Sequence, residues 1–158
     1  MPANTPIKVC SRALILIGEE GITSFSDGSA QADVADAMYE DIARTSLTNT
    51  RWRFATDQAE LNRLVTAPTG RFDAAYQLPA NLLMLSAVTV NDYPIKYDTY
   101  GDKVYCNATE NEVLVADYIY RADAADWPPY FTVAVEYAMA AVFAVSIARD
   151  AQLSGMME

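Results

Sequence analysis

Nucleophiles, acids and bases come first. The chain has 158 residues and no histidine. That excludes Ser-His-Asp and Cys-His catalysis, histidine proton shuttles and histidine-containing metal sites. Ser11, Ser46 and Cys106 are the nucleophile candidates. Each would need a lysine base in place of histidine. The lysines Lys8, Lys96 and Lys103 lie in no recognisable motif. Carboxylates are plentiful, and Glu19-Glu20, Glu40-Asp41 and Asp123 with Asp126 are close in sequence. Two in a cleft would serve a glycosidase, and three would hold a divalent metal. Their spacing singles out no pair, and a solvated acidic surface accounts for them equally. No P-loop, GxGxxG, zinc pattern or EF-hand loop is present. The sequence therefore calls for no cofactor.

Other clusters suit binding. Arg51-Trp52-Arg53-Phe54 alternates basic and aromatic residues at period two, as an extended segment with its aromatics on one side would. Trp52 and Phe54 could fill a core, the cluster could be a protein contact, or the arginines could meet phosphate while Trp52 stacks on bases. Tyrosines gather at Tyr93, Tyr97, Tyr100, Tyr105, Tyr118 and Tyr120. These suit cross-strand pairs in a sheet or a subunit contact.

The charges weigh against a clamp on duplex DNA, with 11 Lys and Arg set against 21 Asp and Glu, a net charge of −10. A hydrophobic fraction of 52% and a charged fraction of 20% describe a folded chain, not a disordered one. Cys10 and Cys106 are far apart and read as buried free thiols.

The elements that must position these residues follow from spacing and caps. Thr5-Pro6 starts a helix that Gly18 ends, over about 5–18. A second, alanine-rich helix spans about 29–48, with Ala35 and Met38 along it and small residues that admit a close neighbour. Leu61, Leu64 and Val65 suggest a short helix over about 57–65. Short strand-like runs separated by Asn91-Asp92, Tyr100-Gly101-Asp102 and 108–111 read as an antiparallel meander over about 85–121. Trp127-Pro128-Pro129 then introduces a last helix, about 130–152, including Phe131 and apolar nearly all round. Such a helix is buried on most sides, at the centre of a fold or between subunits. Its apolar run from 133 to 148 is shorter than a membrane span and contains Glu136, so no membrane association is expected. The expected fold is α+β, mainly α: a single domain over 1–158, a helical bundle with a small antiparallel β-meander inserted before the last long helix.

Taken in order, these pieces resemble the head-to-tail adaptor proteins of tailed bacteriophages, the group that includes tail tubular protein A. The likeness is carried by residues 10–18 followed by Ile22-Thr23-Ser24-Phe25, similar to the family's opening helix and "I-G" turn. It continues in the alanine-rich stretch 30–44 and in Arg51-Trp52-Arg53-Phe54-Ala55, similar to the family's W-x-F-A signature. Tyr76-Gln77-Leu78-Pro79, 118–121, Trp127-Pro128 and Phe131 complete it. Relatives carry a further charged helix or tail beyond the last apolar helix, where this sequence runs from Gln152 to Glu158.

The resemblance implies a structural virion protein at the head-tail junction, assembled in the host cytoplasm and not an enzyme. It would form a ring, commonly of twelve copies, beneath the portal protein. It would extend the DNA channel without sequence-specific binding and present a surface to the tail or the next head-completion protein. Arg51, Trp52, Arg53, Phe54, Ala35, Met38, Trp127 and Phe131 are then the candidates for subunit interface or core. Tyr93, Tyr97, Tyr100, Met156 and Met157 are the candidates for portal or tail contact. The competing expectation is an acidic carboxylate-based hydrolase or metal-dependent enzyme.

Overall fold

The computed structural model describes residues 4–156; the side chains of 148–156 fall outside the description. The chain divides into two compact units, Met1–Asn49 with Ala122–Glu158, and Thr50–Arg121 between them in sequence.

The first unit is helical. Helix α1, Pro6–Leu16, begins where the Thr5 hydroxyl accepts the Lys8 N–H at 3.2 Å, with Pro6 in its first turn. It ends at Gly18, whose φ of 79° lets its N–H reach the Ile15 carbonyl while that of Glu19 reaches Leu14. Helix α2, Ala30–Thr48, is capped by Ser29, whose hydroxyl accepts the Ala32 N–H at 3.1 Å. Helix α3, Pro129–Met156, has 28 residues and spans about 42 Å.

Both shorter helices pack on α3. Phe131, Val135, Met139 and Phe143 recur every fourth residue and form its buried stripe. Val9, Cys10, Ala13 and Leu14 of α1 and Ala32, Ala35, Tyr39, Ala43 and Leu47 of α2 are buried as well. The alanines of α2 thus admit α3 of the same chain. Ser11 pins the following loop, because its hydroxyl both donates to the Ile22 carbonyl and accepts the Ile22 N–H, at 3.0 and 3.1 Å. A Cβ on Gly21 would lie 3.0 Å from the Ser11 Cβ, so glycine is needed for this close approach.

The second unit is built on strands, and here the expectation of a helical bundle with a small meander is corrected. Eight strands form two antiparallel sheets among the described residues. They are β1 Thr56–Glu60, β2 Asn62–Arg63, β3 Ala74–Gln77, β4 Leu82–Val90, β5 Tyr93–Pro94, β6 Tyr97–Tyr100, β7 Lys103–Cys106 and β8 Leu114–Tyr120. One sheet has the order β1-β8-β4-β5, the other β2-β3-β7-β6.

The helix expected over 57–65 is instead β1 and β2. Thr56 to Glu60 pair with Ile119 to Val115, and Asn62 and Arg63 with Gln77 and Tyr76. At Leu61 the chain passes from one sheet to the other: Leu61 N–H bonds the Leu114 carbonyl and Leu64 N–H that of Ala75. Nor is the order a meander, since β8 returns between β1 and β4. Both sheets bury side chains in one cluster, Tyr76, Val104 and Cys106 from one and Val88, Leu114, Ala116 and Tyr118 from the other. The unit therefore has a core of its own, and the fold is α+β with a β-sheet core.

Candidate interaction surfaces

Helix α3 has an inverted polarity. Glu136 is only 8% exposed and meets Arg12 of α1 at 3.4 Å. Beside it Asn4 donates to the Thr132 hydroxyl at 3.1 Å. The opposite face holds Tyr130, Val133, Tyr137 and Val145, 58, 46, 61 and 70% exposed, with Ala134 and Ala141 between them. This outer stripe runs about 22 Å without a charge. By length and composition Pro129–Ile147 is also long and apolar enough to cross a membrane. Its buried stripe instead faces α1 and α2, as in the core helix of a helical unit.

Helix α2 presents the contrary surface. Its outer face carries the exposed carboxylates Asp33, Asp36, Glu40 and Asp41, with Glu40 bound by Arg44 at 2.8 Å. Of the 11 cationic residues four lie in the helical unit and seven in the strand unit; of the 21 acidic residues twelve and nine do. The helical unit therefore nets −8 and the strand unit −2.

The expected contact residues separate into classes. Ala35, Trp127 and Phe131 are buried within the chain, and Met38 is half-buried. Trp127 stands edge-on to Phe131 with ring centroids 4.9 Å apart. Trp52 and Phe54 are half-buried with rings 6.2 Å apart, while Arg51 and Arg53 are exposed. This segment is not the extended run its period of two suggests. Arg53–Ala55 is one turn of 3-10 helix, closed by the Ala55 N–H on the Trp52 carbonyl. The Tyr120 hydroxyl donates to the Phe54 carbonyl at 3.0 Å and fixes it.

Tyr93 and Tyr100 are exposed and Tyr97 half-buried. Tyr100 stacks on Tyr105 with centroids 4.7 Å apart, and Tyr105 meets the edge of Phe72. Arg71 lies over Phe72 and pairs with Asp98 at 2.8 Å. Asp98 and then Tyr100 hold the guanidinium above its ordinary pKa. A shallow groove of about 490 Å³ runs beside this patch, between Arg71, Phe72 and the 95–98 segment. Sequence spacing gave no sign of the roles of Phe72 and Arg71, which reach this face only through sheet pairing. The Met156 side chain and all of Met157 lie outside the described residues.

The groups with possible chemistry are dispersed. Ser11 serves the loop at Ile22, and Cys10 and Cys106 are buried. Burial pushes the Cys10 thiol up to about 12 and raises that of Cys106 as well. No cluster of three metal-ligating side chains occurs among the described residues. Glu20, Glu40, Asp41, Asp123 and Asp126 are exposed and Glu19 is half-buried. Two carboxylate pairs that the sequence did not single out share open clefts: Asp73 with Glu110 beside Arg63, and Asp57 with Asp117 beside Arg51. No known family model matches the chain, and no curated protein does.

Proposed function

We propose that this chain is a structural protein of the head-tail junction of a tailed bacteriophage, a ring-forming adaptor that docks under the portal protein. The ring extends the DNA channel and offers the tail an attachment surface. One observation carries this reading: on a chain of net charge −10, the outer stripe of α3 is apolar and free of charge. A patch of this kind marks an association surface. A neighbouring acidic chain can pack against it without bringing carboxylates together. The ordered likeness of residues 10–18, 22–25, 30–44, 51–55, 76–79, 118–121, Trp127-Pro128 and Phe131 to phage adaptors supplies the particular context.

The charge partition suits the role. A helical unit at −8 gives passing DNA nothing to adhere to. The strand unit, with Tyr93, Tyr97, Tyr100 and the Arg71–Phe72 patch, offers the aromatic and arginine side chains that dominate protein contacts. The hydrolase alternative has less support. It needs two carboxylates in an enclosed cleft, one of them desolvated. Asp73, Glu110 and Asp57 are exposed and Asp117 is half-buried.

Light scattering of the full chain, alone and with the portal protein, tests the proposal. A ring-sized assembly is expected with the portal. Tyr137→Lys with Val145→Lys should abolish it while leaving the denaturation midpoint of the free chain nearly unchanged. A chain that stays monomeric in the presence of both portal and tail, or that turns over a small molecule, overturns it.

A further inference from the structure

We infer that neighbouring copies are joined by a charged contact in which the Arg51–Trp52–Arg53 turn of one copy seats on the outer face of α2 of the next, with Asp33 and Asp36 receiving the arginines. This inference rests on the ring reading and names its joint.

A closed ring of more than two copies uses heterologous contacts, so the chain must carry two different surfaces that fit each other. The charged side chains supply them. Arg51 and Arg53 are exposed; Arg51 lines an open cleft with Asp57 and Asp117, yet neither arginine has a carboxylate within ion-pair distance among the described residues. Asp33 and Asp36 are exposed one turn apart on α2 and also lack a cation at that distance. Glu40, the next carboxylate on the same face, is occupied by Arg44.

The arginine turn is already formed in the single chain. The Trp52 N–H bonds the Thr50 carbonyl at 3.0 Å, the Ala55 N–H bonds that of Trp52 at 3.1 Å, and Tyr120 holds Phe54 from the sheet. Trp52 is thereby presented half-buried between two exposed arginines. A preformed aromatic anchor flanked by guanidinium groups costs little ordering on association. The complementarity is local: Asp33 and Asp36 meet the guanidinium groups at contact, where pairing must offset the repulsion between two copies of net charge −10. A nucleic acid would also receive the arginines but offers nothing to the acidic face of α2, whereas a second copy of this chain supplies both halves of the contact.

Sedimentation velocity of the full chain at about 50 and about 500 mM NaCl is the test, because exposed ion pairs are screened over this range. Self-association is expected at the lower salt and should weaken about tenfold at the higher. Arg51→Glu with Arg53→Glu, and separately Asp33→Arg with Asp36→Arg, should each weaken it to a similar degree. An equimolar mixture of the two variants should recover it, since one swapped surface then meets the other. Circular dichroism of each variant checks that the fold is intact.

A wild-type chain that remains monomeric at low salt, variants that associate as wild type, or a mixture without recovery overturns the inference. So does an arginine variant that changes only retention on duplex DNA. The ring reading fails separately. A ring that forms with the portal whatever the charge at these four positions overturns the joint alone, whereas loss of all assembly with portal and tail overturns the reading.

Discussion

The indole N–H of Trp127 donates to the carbonyl of Ala122 across 2.9 Å, and both residues are buried. This bond ties the entry of α3 to the segment preceding it, while the ring packs edge-on against Phe131 and 6.3 Å from Tyr39. Trp127→Phe removes the donor and leaves a void. A loss of about 1–3 kcal/mol is expected in urea denaturation. Because the chain has two tryptophans, the fluorescence of this variant reports Trp52 alone.

The hairpin between β4 and β5 turns on Asn91 and Asp92, with φ of 51° and 68°. Two successive left-handed residues define the tight turn that matches the twist of paired strands. Glycine accepts this conformation without a Cβ penalty. Asp92→Gly should therefore raise stability by about 0.5–1 kcal/mol, measured as a shift in the denaturation midpoint.

Asp27 sits before α2, and one of its oxygens accepts both the hydroxyl and the N–H of Ser29, at 2.6 and 2.9 Å. Its other oxygen accepts the Thr23 N–H. The Ser29 hydroxyl bond first, then the backbone bonds of Ser29 and Thr23, hold this carboxyl below its ordinary value of 3.8. The folded state thus binds its proton less readily than the unfolded state. The stabilisation is complete above the ordinary value and is lost as pH falls through the folded one. Asp27→Asn should flatten the acid limb of a stability profile taken between about pH 6 and pH 2, and carboxyl NMR should place the Asp27 titration below that of a free aspartate.

Cys10 of α1 has no exposed surface, and burial pushes its thiol up to about 12. Cys106, inside the strand core, is raised by burial in spite of Arg63. Neither thiol should react with a disulfide reagent at about pH 8 until denaturant is added, when both should react. The unfolded chain ionises first, so stability should fall as pH climbs from the ordinary thiol value toward that of the buried one.

Local chemistry made the helix boundaries legible. Thr5-Pro6, Gly18, Ser29 and Trp127-Pro128 act through hydrogen bonds a few residues away, and all four appear where their residue types place them. The Asn91-Asp92 turn is legible for the same reason. The stretch 57–65 was not. Leu61, Leu64 and Val65 satisfy a helical spacing, and a short apolar run has no period distinctive enough to decide between helix and strand. Pairing with β8, more than fifty residues later in the chain, decides for strand, and so turns a small meander into two sheets with a core.

The sequence by itself determined the composition of the surfaces: no histidine, ten surplus negative charges, a last helix whose run from 133 to 148 is apolar but for Glu136 and Ser146, and a cluster of arginine with tryptophan. Composition and spacing are properties of the chain, and they bound the chemistry before any folding. Only the tertiary structure decided which side of α3 stays in water. The i+4 row from Phe131 to Phe143 packs inward and takes Glu136 with it to meet Arg12, leaving Tyr130, Tyr137 and Val145 outside. On a helix apolar all round no moment favours one face, so the choice falls to its neighbours α1 and α2.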